Sequence, residues 1–260
     1  MISRNFYFYL ALIAVFAAGC GSGGDEITKP SVQGPANQLF DQAKSAYNKE
    51  DWLEAIRLFE QVRIEAPASP IAGEATYLEA MSRYNQEMFA GSAVDFRAVR
   101  RNYPNSPYAV RAQYMVGESY YQISPRPELD QSYTLLAIGE YQSFMRAYPN
   151  APLSLLDSAQ KRIMELRTKL SLKYLLNAQL YDKLEDPKSA LVYYQRVLND
   201  YYDTPQAPEA ELRVAEISYD RHKVDDARKA IVSFDEKYLQ SATPEERQRA
   251  LTLHAKLQTS

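Results

Sequence analysis

The stretch DFRAVRRNYPNSPYAVRAQYMVGESYY (95–121) contains the structural unit that the rest of the chain repeats. An amphipathic pattern of helical period ends at the loop YPNSP (103–107), and a second such pattern follows the loop. Proline disfavours helix both at its own position and at the residue before it. The stretch therefore predicts a helix, a short proline-closed turn and a second helix.

Three further loops of the same kind divide the chain. They are APASP (66–70), YPNAP (148–152) and YYDTP (201–205). The closing prolines of the four loops are 37, 45 and 53 residues apart in chain order. An internal period of this size indicates a stack of helical hairpins. The unit resembles the tetratricopeptide repeat, whose period is about 34 residues.

Small residues fix the register of the repeats. Ala43, Ala80 and Gly117 are 37 residues apart, as are Ala178 and Ala215. Small side chains allow two helices to approach closely, and in the first three repeats an aromatic residue follows four positions later on the same helix face. We therefore expect an all-α, tetratricopeptide-like solenoid of five helical hairpins. The repeats cover 36–70, 73–107, 110–152, 171–205 and 208–240.

Two irregularities interrupt this register. The third repeat is eight residues longer than the second, and the excess falls in the proline-containing stretch QISPRPELDQSYT (122–134), where no helix is expected. Residues 153–186 contain neither glycine nor proline, so they predict either one long helix or two helices joined almost without a loop. Asp186 before Pro187 predicts the capped start of the next helix.

The only cysteine of the chain, Cys20, directly follows an apolar segment. The run Phe6–Ala18 has 13 residues, whereas a membrane-spanning helix needs roughly 20, and this length is typical of a secretory signal. With small residues before Cys20, the segment resembles the lipobox of bacterial lipoproteins, in which the cysteine is acylated. We expect a signal peptide over 1–19, lipid on Cys20 and a flexible tether over 20–35. An ordinary secretory signal with a chance cysteine is the alternative.

The composition argues against several classes of function. The formal net charge of −3 provides no basic patch for nucleic acid. A zinc site needs three or four ligands, and the two histidines, His222 and His254, lie in separate segments, with His222 in an expected exposed turn. Four of the nine glycines lie within 19–24, so no phosphate-binding loop is expected. The sequence therefore predicts no catalytic residue, no metal, no cofactor and no nucleic-acid partner.

Five stretches resemble the BamD family, the lipoprotein subunits of the outer-membrane β-barrel assembly machinery. They are DWLEAIRLFEQV (51–62), RNYPNSPY (101–108), PRPELDQ (125–131), DSAQKRIMELRTKL (157–170) and NDYYDTPQA (199–207). The insertion in the third repeat and the glycine-free stretch before the fourth add to the resemblance. One departure is Tyr202, where the other three loops have proline.

The resemblance implies a non-catalytic lipoprotein that is anchored in the outer membrane and faces the periplasm. The implied partners are the periplasmic domain of the barrel-forming subunit, unfolded outer-membrane β-barrel proteins recognised by a C-terminal signal strand, and other accessory lipoproteins. Together they would fold and insert barrel proteins. A periplasmic repeat lipoprotein that coordinates cell-wall synthesis or envelope constriction is the alternative.

Two rows of aromatic residues are candidates for a peptide-binding groove within repeats 1–3 (36–152). The first row is Phe40, Tyr77 and Tyr114, and the second is Tyr47, Tyr84 and Tyr121, each with a spacing of 37 residues. First helices of such repeats line the inner groove, and tyrosine offers a large apolar body with a hydroxyl group that can bond a peptide backbone. The alternative is that these rings pack between helices as core.

The C-terminal part of the chain (153–258) lacks these rows. By the family resemblance, this part docks on the barrel-forming subunit. The candidates for a charged docking patch are Lys161, Arg162, Arg167 and Lys169. An ordinary solvated helix face is the alternative for these four residues.

Overall fold

The computed structural model describes residues 34–259, and in this range the chain forms eleven α-helices and no β-strand. The helices are α1 (Pro35–Asn48), α2 (Trp52–Glu65), α3 (Ala72–Asn85), α4 (Phe89–Asn102), α5 (Ala109–Gln122), α6 (Ser132–Ala147), α7 (Leu153–Lys183), α8 (Pro187–Asp200), α9 (Ala207–Asp220), α10 (Val224–Lys237) and α11 (Pro244–Gln258). The expected signal peptide (1–19), Cys20 and nearly all of the expected tether lie outside the described residues. Helix α1 begins at Pro35, the last residue assigned to the tether.

Helices that are consecutive in the chain pack against each other throughout the described residues. The hairpins are α1 with α2, α3 with α4, α5 with α6, α7 with α8, and α9 with α10. Each hairpin also packs on the next one, and α11 closes the stack against α9 and α10. The expected all-α solenoid of five tetratricopeptide-like hairpins is therefore confirmed, and its core runs from unit to unit because each hairpin buries a face of its neighbour.

The small residues that set the register lie in the core. Ala43, Ala80, Ala178 and Ala215 are completely buried. At Gly117 the contact is closest, because an added Cβ would lie 2.7 Å from the ring of Tyr141. That ring belongs to α6, so the partner helix of the hairpin fills the space beside Gly117.

In four of the five hairpins, the turn between the two helices has a residue in the left-handed backbone conformation at the same position. The positive-φ residues of the described chain are Glu50, Glu87, Glu185 and His222, at equivalent positions after the first helix of each hairpin. In each turn the next residue donates a backbone hydrogen bond back to the helix, as Met88 does to the Arg83 carbonyl at 2.9 Å. This is the Schellman arrangement, which normally prefers glycine at the left-handed position. His222 is exposed there, as expected.

The proline loops between hairpins also share one geometry. The backbone N–H of Ser106 bonds the Tyr103 carbonyl at 2.9 Å, and the same turn recurs in the other three loops. The loop that contains Tyr202 in place of proline keeps it, with Thr204 bonding the Tyr201 carbonyl at 3.1 Å. Proline is favoured at the second position of such a turn but is not required there, so this departure leaves the backbone unchanged.

Residues 153–183 form a single helix, which settles the choice that the sequence left open. Helix α7 has 31 residues and is about 46 Å long. Its first half joins the core cluster of repeats 2 and 3 through Ile163 and Leu166, and its second half joins the core cluster of repeats 4 and 5 through Leu175 and Ala178. Asp186 caps the following helix as predicted, since its side chain accepts a hydrogen bond from the Ser189 N–H.

The insertion in the third repeat forms a non-helical segment that is fastened to α7. Lys173 Nζ donates to the carbonyl of Leu129 at 2.8 Å, and Lys169 Nζ donates to Ser124 Oγ at 2.7 Å. The buried Gln131 side chain donates to the Arg126 carbonyl at 2.7 Å inside the segment. The carbonyl groups of Leu129 and Arg126, which lie outside any helix, thus have hydrogen-bond donors. The two lysine bonds link the third repeat to the long helix.

Candidate polypeptide-binding surface

The first aromatic row lies largely in the core of its hairpins. Phe40 and Tyr77 are each 6% exposed, and Tyr114 is half-buried. Each ring of this row packs on an aromatic ring of the second helix. The centroid distances are 5.9 Å for Phe40–Phe59, 5.7 Å for Tyr77–Phe96 and 5.8 Å for Tyr114–Tyr141. Most of the ring area in this row is therefore directed to internal packing.

The second aromatic row retains more surface and connects neighbouring repeats. Tyr47, Tyr84 and Tyr121 are all half-buried. The Tyr84 hydroxyl accepts a hydrogen bond from Gln122 Nε2 at 2.9 Å, and the Tyr121 hydroxyl donates to Glu165 Oε2 at 2.9 Å. Each hydroxyl thus bonds a polar side chain of the next structural unit, while part of each ring faces solvent.

Tyr47 follows the same rule at the start of the stack. Burial raises the pKa of the Tyr47 hydroxyl, and a hydrogen bond with Asn85 opposes that rise. Asn85 occupies in repeat 2 the position that Gln122 occupies in repeat 3. The ring of Tyr47 packs edge-on against Trp52 at 5.3 Å, and the ring of Tyr84 packs edge-on against Phe89 at 5.1 Å. In the second row, the hydroxyl groups therefore bond side chains of the next unit, while the rings of Tyr47 and Tyr84 pack within their own hairpins.

Glu118 connects the two helices of repeat 3 with α7 through hydrogen bonds. Its Oε1 accepts hydrogen bonds from the Tyr141 hydroxyl at 2.6 Å, the Tyr114 hydroxyl at 2.8 Å and Arg162 Nε at 3.2 Å. Burial and the adjacent Glu118 carboxylate raise the pKa of both tyrosines, so both hydroxyls stay protonated and donate. Arg162 also lies over the ring of Tyr121, 3.9 Å from its centroid.

The four predicted docking cations do not form one free patch. Arg162 bonds Glu118 and Glu165, and Lys169 bonds the insertion. Arg167 bonds Asp203 Oδ1 at 2.6 Å in the loop before α9. Of the four side chains, only that of Lys161 is exposed, and the other three are half-buried. Arg162 and Arg167 therefore tie α7 to the units on either side of it.

Two features of the surface were not anticipated from the sequence. At the C-terminal end, Arg249 of α11 bridges Glu209 at 2.7 Å and Glu216 at 2.8 Å. Where the loop 148–152 after repeat 3 meets the start of α5, an apolar cleft of about 530 Å³ opens beside Arg111. The sequence does mark the position of Arg111 as unusual, because the equivalent residues of repeats 2 and 5, Glu74 and Glu209, carry the opposite charge.

Residues 34–259 offer neither a metal site nor a membrane-spanning helix. No group of three or more His, Cys, Asp or Glu side chains is placed to hold a metal ion there. None of the helices in this part of the chain is long and apolar enough to cross a membrane.

The hairpins, their 37-residue register and the buried small residues define a tetratricopeptide-like repeat protein. Residues 32–233 match the model of the YfiO family, described as outer membrane lipoprotein, and the chain belongs to that family.

Two solved structures are similar to the chain at low identity. One is a thermophilic tetratricopeptide repeat protein of Thermus thermophilus, with 16% identity, a TM-score of 0.35, and coverage of 85% of this chain and 99% of that one. The other is a tetratricopeptide repeat protein of Parabacteroides merdae, with 11% identity, a TM-score of 0.26, and coverage of 84% and 98%. No curated protein matches the chain.

Proposed function

We propose that this chain is a non-catalytic lipoprotein subunit of the outer-membrane β-barrel assembly complex. It binds barrel-protein precursors with repeats 1–3 (36–152) and the periplasmic domain of the barrel-forming subunit with residues 153–258, and so promotes folding and insertion. The observation that carries this proposal is membership of an outer membrane lipoprotein family over residues 32–233.

Lipid on Cys20 supplies the membrane attachment in this proposal. Each buried methylene group contributes about 0.8 kcal/mol, and two or more acyl chains hold a protein stably in a bilayer.

The second aromatic row supports polypeptide binding by repeats 1–3. Tyr47, Tyr84 and Tyr121 lie at one register position, and each keeps part of its ring at the surface. Because the hydroxyl groups of Tyr84 and Tyr121 are held by neighbouring units, these rings are fixed before a ligand arrives. Fixed aromatic rings lose little conformational entropy on binding, which favours contact with the side chains of an extended chain.

Helix α7 supports an adaptor role. Arg162 bonds Glu118 of repeat 3, and Arg167, five residues later, bonds Asp203 before repeat 5. These two ion pairs point to opposite ends of the stack. Together with the apolar contacts of both halves of α7, they hold repeats 1–3 and residues 153–258 at one relative position. A precursor bound on the first part would then stay at a defined distance from the barrel-forming subunit.

Affinity purification of the tagged chain from detergent-solubilised membranes tests the proposal. We expect recovery of a large barrel protein that carries periplasmic domains. A Cys20→Ala variant is the matched control for anchoring and should leave the membrane fraction, while mass spectrometry of the wild-type amino terminus should find acyl chains. Recovery of cell-wall synthases alone would overturn the proposal in favour of an envelope scaffold.

A further inference from the structure

The outward sides of α4 and α6 carry surface residues in the same order. Both helices are second helices of their hairpins, and they run in the same direction because each packs on α5 through a short connection or a hairpin turn. Phe96 and Tyr141 fix their register, since each lies eight residues before the first proline of the loop that follows. Positions 94 and 101 of α4 are therefore equivalent to positions 139 and 146 of α6.

Along each helix, the surface residues change from apolar to positively charged. In α4, Val94 is 60% exposed, and Ala98 and Arg101 follow it on the same side of the helix. The first turns of both helices thus expose aliphatic side chains and the last turns expose arginine. In α6 the residues of this side are Leu135, Leu136, Gly139, Ser143 and Arg146.

Side chains that lie between the two helices connect these sides into one surface. The Arg97 guanidinium of α4 pairs with Glu140 of α6 and donates to the Tyr120 hydroxyl of α5 at 3.0 Å. The Tyr120 ring stacks on the exposed ring of Tyr133 in α6, with 6.0 Å between the ring centroids. We call the combined outward surface of these two helices the α4–α6 face.

The α4–α6 face has an excess of positive charge. The two helices contain one acidic residue each, Asp95 and Glu140, and these are paired with Arg83 and Arg97. Three exposed arginines in the last turns form no ion pair with a carboxylate of residues 34–259, and their side chains bond at most a neighbouring amide or hydroxyl group. They are Arg100, Arg101 and Arg146.

The repeat itself does not require arginine at these positions. A helix dipole favours a cation in the last turn, so the location alone is ordinary. However, the residues equivalent to Arg101 in repeats 1, 4 and 5 are Ile64, Asn199 and Leu239, none of which is charged. The positive charge is thus specific to repeats 2 and 3, where the exposed aliphatic residues lie beside it.

The apolar part of the α4–α6 face has no opposing wall. A cavity of about 690 Å³ lies over it, and all of the lining residues belong to α6. A Cβ added to Gly139, in the middle of this lining, would have no neighbour within 4 Å. Sites for small ligands are concave and enclosed on several sides, whereas this open shelf suits contact with a broad surface.

We propose that the α4–α6 face binds the surface of an anionic phospholipid bilayer. The arginines at the helix ends contact lipid phosphate groups, and Val94, Leu135 and Leu136 enter the boundary between the headgroups and the acyl chains. Arginine suits this position because its apolar stem can lie along aliphatic neighbours while its charged end reaches the phosphates. The inference rests on the proposed function in one respect, namely the lipid on Cys20.

This lipid anchor would bring a bilayer within reach of the face. The 14 residues between Cys20 and Pro35 can span at most about 50 Å, so an acylated Cys20 keeps the start of α1 within that distance of the bilayer. Such confinement raises the effective concentration of lipid, and a contact that is weak by itself becomes populated. The face belongs to second helices and the aromatic rows belong to first helices, so lipid and polypeptide do not compete for the same helices.

Two single-cysteine variants of the full acylated chain in vesicles test the inference. Val94→Cys places a thiol on the α4–α6 face, and Val192→Cys is the matched control at the equivalent position of repeat 4, where the valine is 67% exposed. Acylation consumes the only native thiol, that of Cys20, so a polarity-sensitive fluorophore attaches only to the introduced cysteine. The vesicles contain phosphatidylcholine alone or phosphatidylcholine with phosphatidylglycerol.

We expect the fluorophore at position 94 to insert into the phosphatidylglycerol vesicles, with brighter emission and with quenching by a nitroxide-labelled lipid. The fluorophore at position 192 should respond to neither kind of vesicle. Each arginine near an anionic membrane contributes about fivefold, so Arg101→Gln combined with Arg146→Gln should lower the ratio of inserted to solvent-exposed fluorophore about thirtyfold. High salt should lower the same ratio, because it screens the charges.

Equal responses at positions 94 and 192, or an unchanged ratio in the double arginine variant, would overturn the inference, because the anchor alone would then explain the proximity to lipid. A fluorophore at position 94 that is silent on vesicles but shielded in the affinity-purified complex would assign the face to an acidic protein instead. Mass spectrometry of the same preparation separates the two proposals. An acylated chain with a silent fluorophore refutes only the lipid contact, whereas a chain without acyl groups refutes both this contact and the proposed lipoprotein function.

Discussion

Gly117 of α5 lies so close to Tyr141 of α6 that a Cβ on the glycine would be 2.7 Å from the tyrosine ring. The same ring donates its hydroxyl hydrogen bond to Glu118, the residue next to Gly117. The absence of a side chain at one position and the carboxylate at the next therefore fix Tyr141 together. This contact sets the distance between the two helices of the third hairpin.

Gly117→Ala is expected to destabilise the protein by about 1–3 kcal/mol, the usual range for overpacking, even though alanine favours helix more than glycine does. Gly139→Ala is the matched control, since Gly139 lies in α6 with nothing within 4 Å of an added Cβ. That variant should gain about 0.5–1 kcal/mol. Urea denaturation followed by circular dichroism measures both, and equal behaviour of the two variants would contradict the close contact.

The hairpin turns offer a stabilising substitution. Glu87 has a φ of 59°, in the left-handed region that costs an ordinary residue about 1 kcal/mol or more. Glu87→Gly should therefore raise the free energy of unfolding by about 1 kcal/mol. The neighbouring Gln86 has a φ of −80°, so Gln86→Gly should lower it instead. Thermal melts of the two variants that shift in the same direction would argue against the Schellman turn.

The hairpins could be predicted from the sequence, because small residues at a spacing of 37 indicate which helix faces must be buried. The 37-residue spacing put Phe40 and Tyr77 at one register position, but it could not say whether their rings meet a ligand or the second helix of the hairpin. Whether a ring lies in the core or at the surface depends on the second helix, whose packing angle no residue spacing encodes.

The partners of the charged residues were out of reach for a related reason. Arg162 bonds Glu118, 44 residues earlier, and Arg167 bonds Asp203, 36 residues later. Pairs at such separations are fixed by the stacking of whole hairpins, whereas a local pattern only marks residues that share a helix face. The same holds for the apolar cleft beside Arg111, since its walls come from two loops that meet only in the folded stack.

Asp95 should make stability depend on pH between about 4 and 6. Its carboxylate lies 2.6 Å from Arg83 Nε, yet burial and the nearby Glu79 raise the pKa of Asp95 from 3.8 to about 6. The folded state thus binds this proton more tightly than the unfolded state, so ionisation of Asp95 destabilises the fold. That penalty is absent below pH 4, grows as the pH rises towards 6, and is complete above it.

Replacing Asp95 with Asn should therefore stabilise the protein more at pH 7 than at pH 4.5. Two pKa units correspond to about 3 kcal/mol, and partial exposure of the carboxylate reduces the expected difference to about 1–3 kcal/mol. Urea denaturation at pH 4.5, 5.5 and 7 measures it. Asp130→Asn is the control, because hydrogen bonds with Ser132 lower the pKa of this exposed carboxyl group, which reverses the sign. A pH-independent difference between wild type and Asp95→Asn would contradict the assignment.

The two aromatic rows predict different consequences of substitution. Tyr77 is 6% exposed and packs on Phe96, so Tyr77→Ala should lower the free energy of unfolding by about 3–5 kcal/mol. Tyr84 is half-buried, and Tyr84→Phe removes only its hydrogen bond with Gln122, at about 0.5–1.5 kcal/mol.

Binding of an unfolded barrel-protein segment then separates a groove from a core. If the ring face of Tyr84 contacts the ligand, Tyr84→Phe keeps the affinity because the ring remains, while Tyr84→Ala loses it in conditions where circular dichroism shows the chain still folded. Anisotropy titrations at a temperature well below the melting point of both variants make the comparison. Should the affinity of Tyr84→Ala fall only in proportion to its unfolded fraction, the second row stabilises the stack and takes no part in binding, and the precursor must be held by other surfaces.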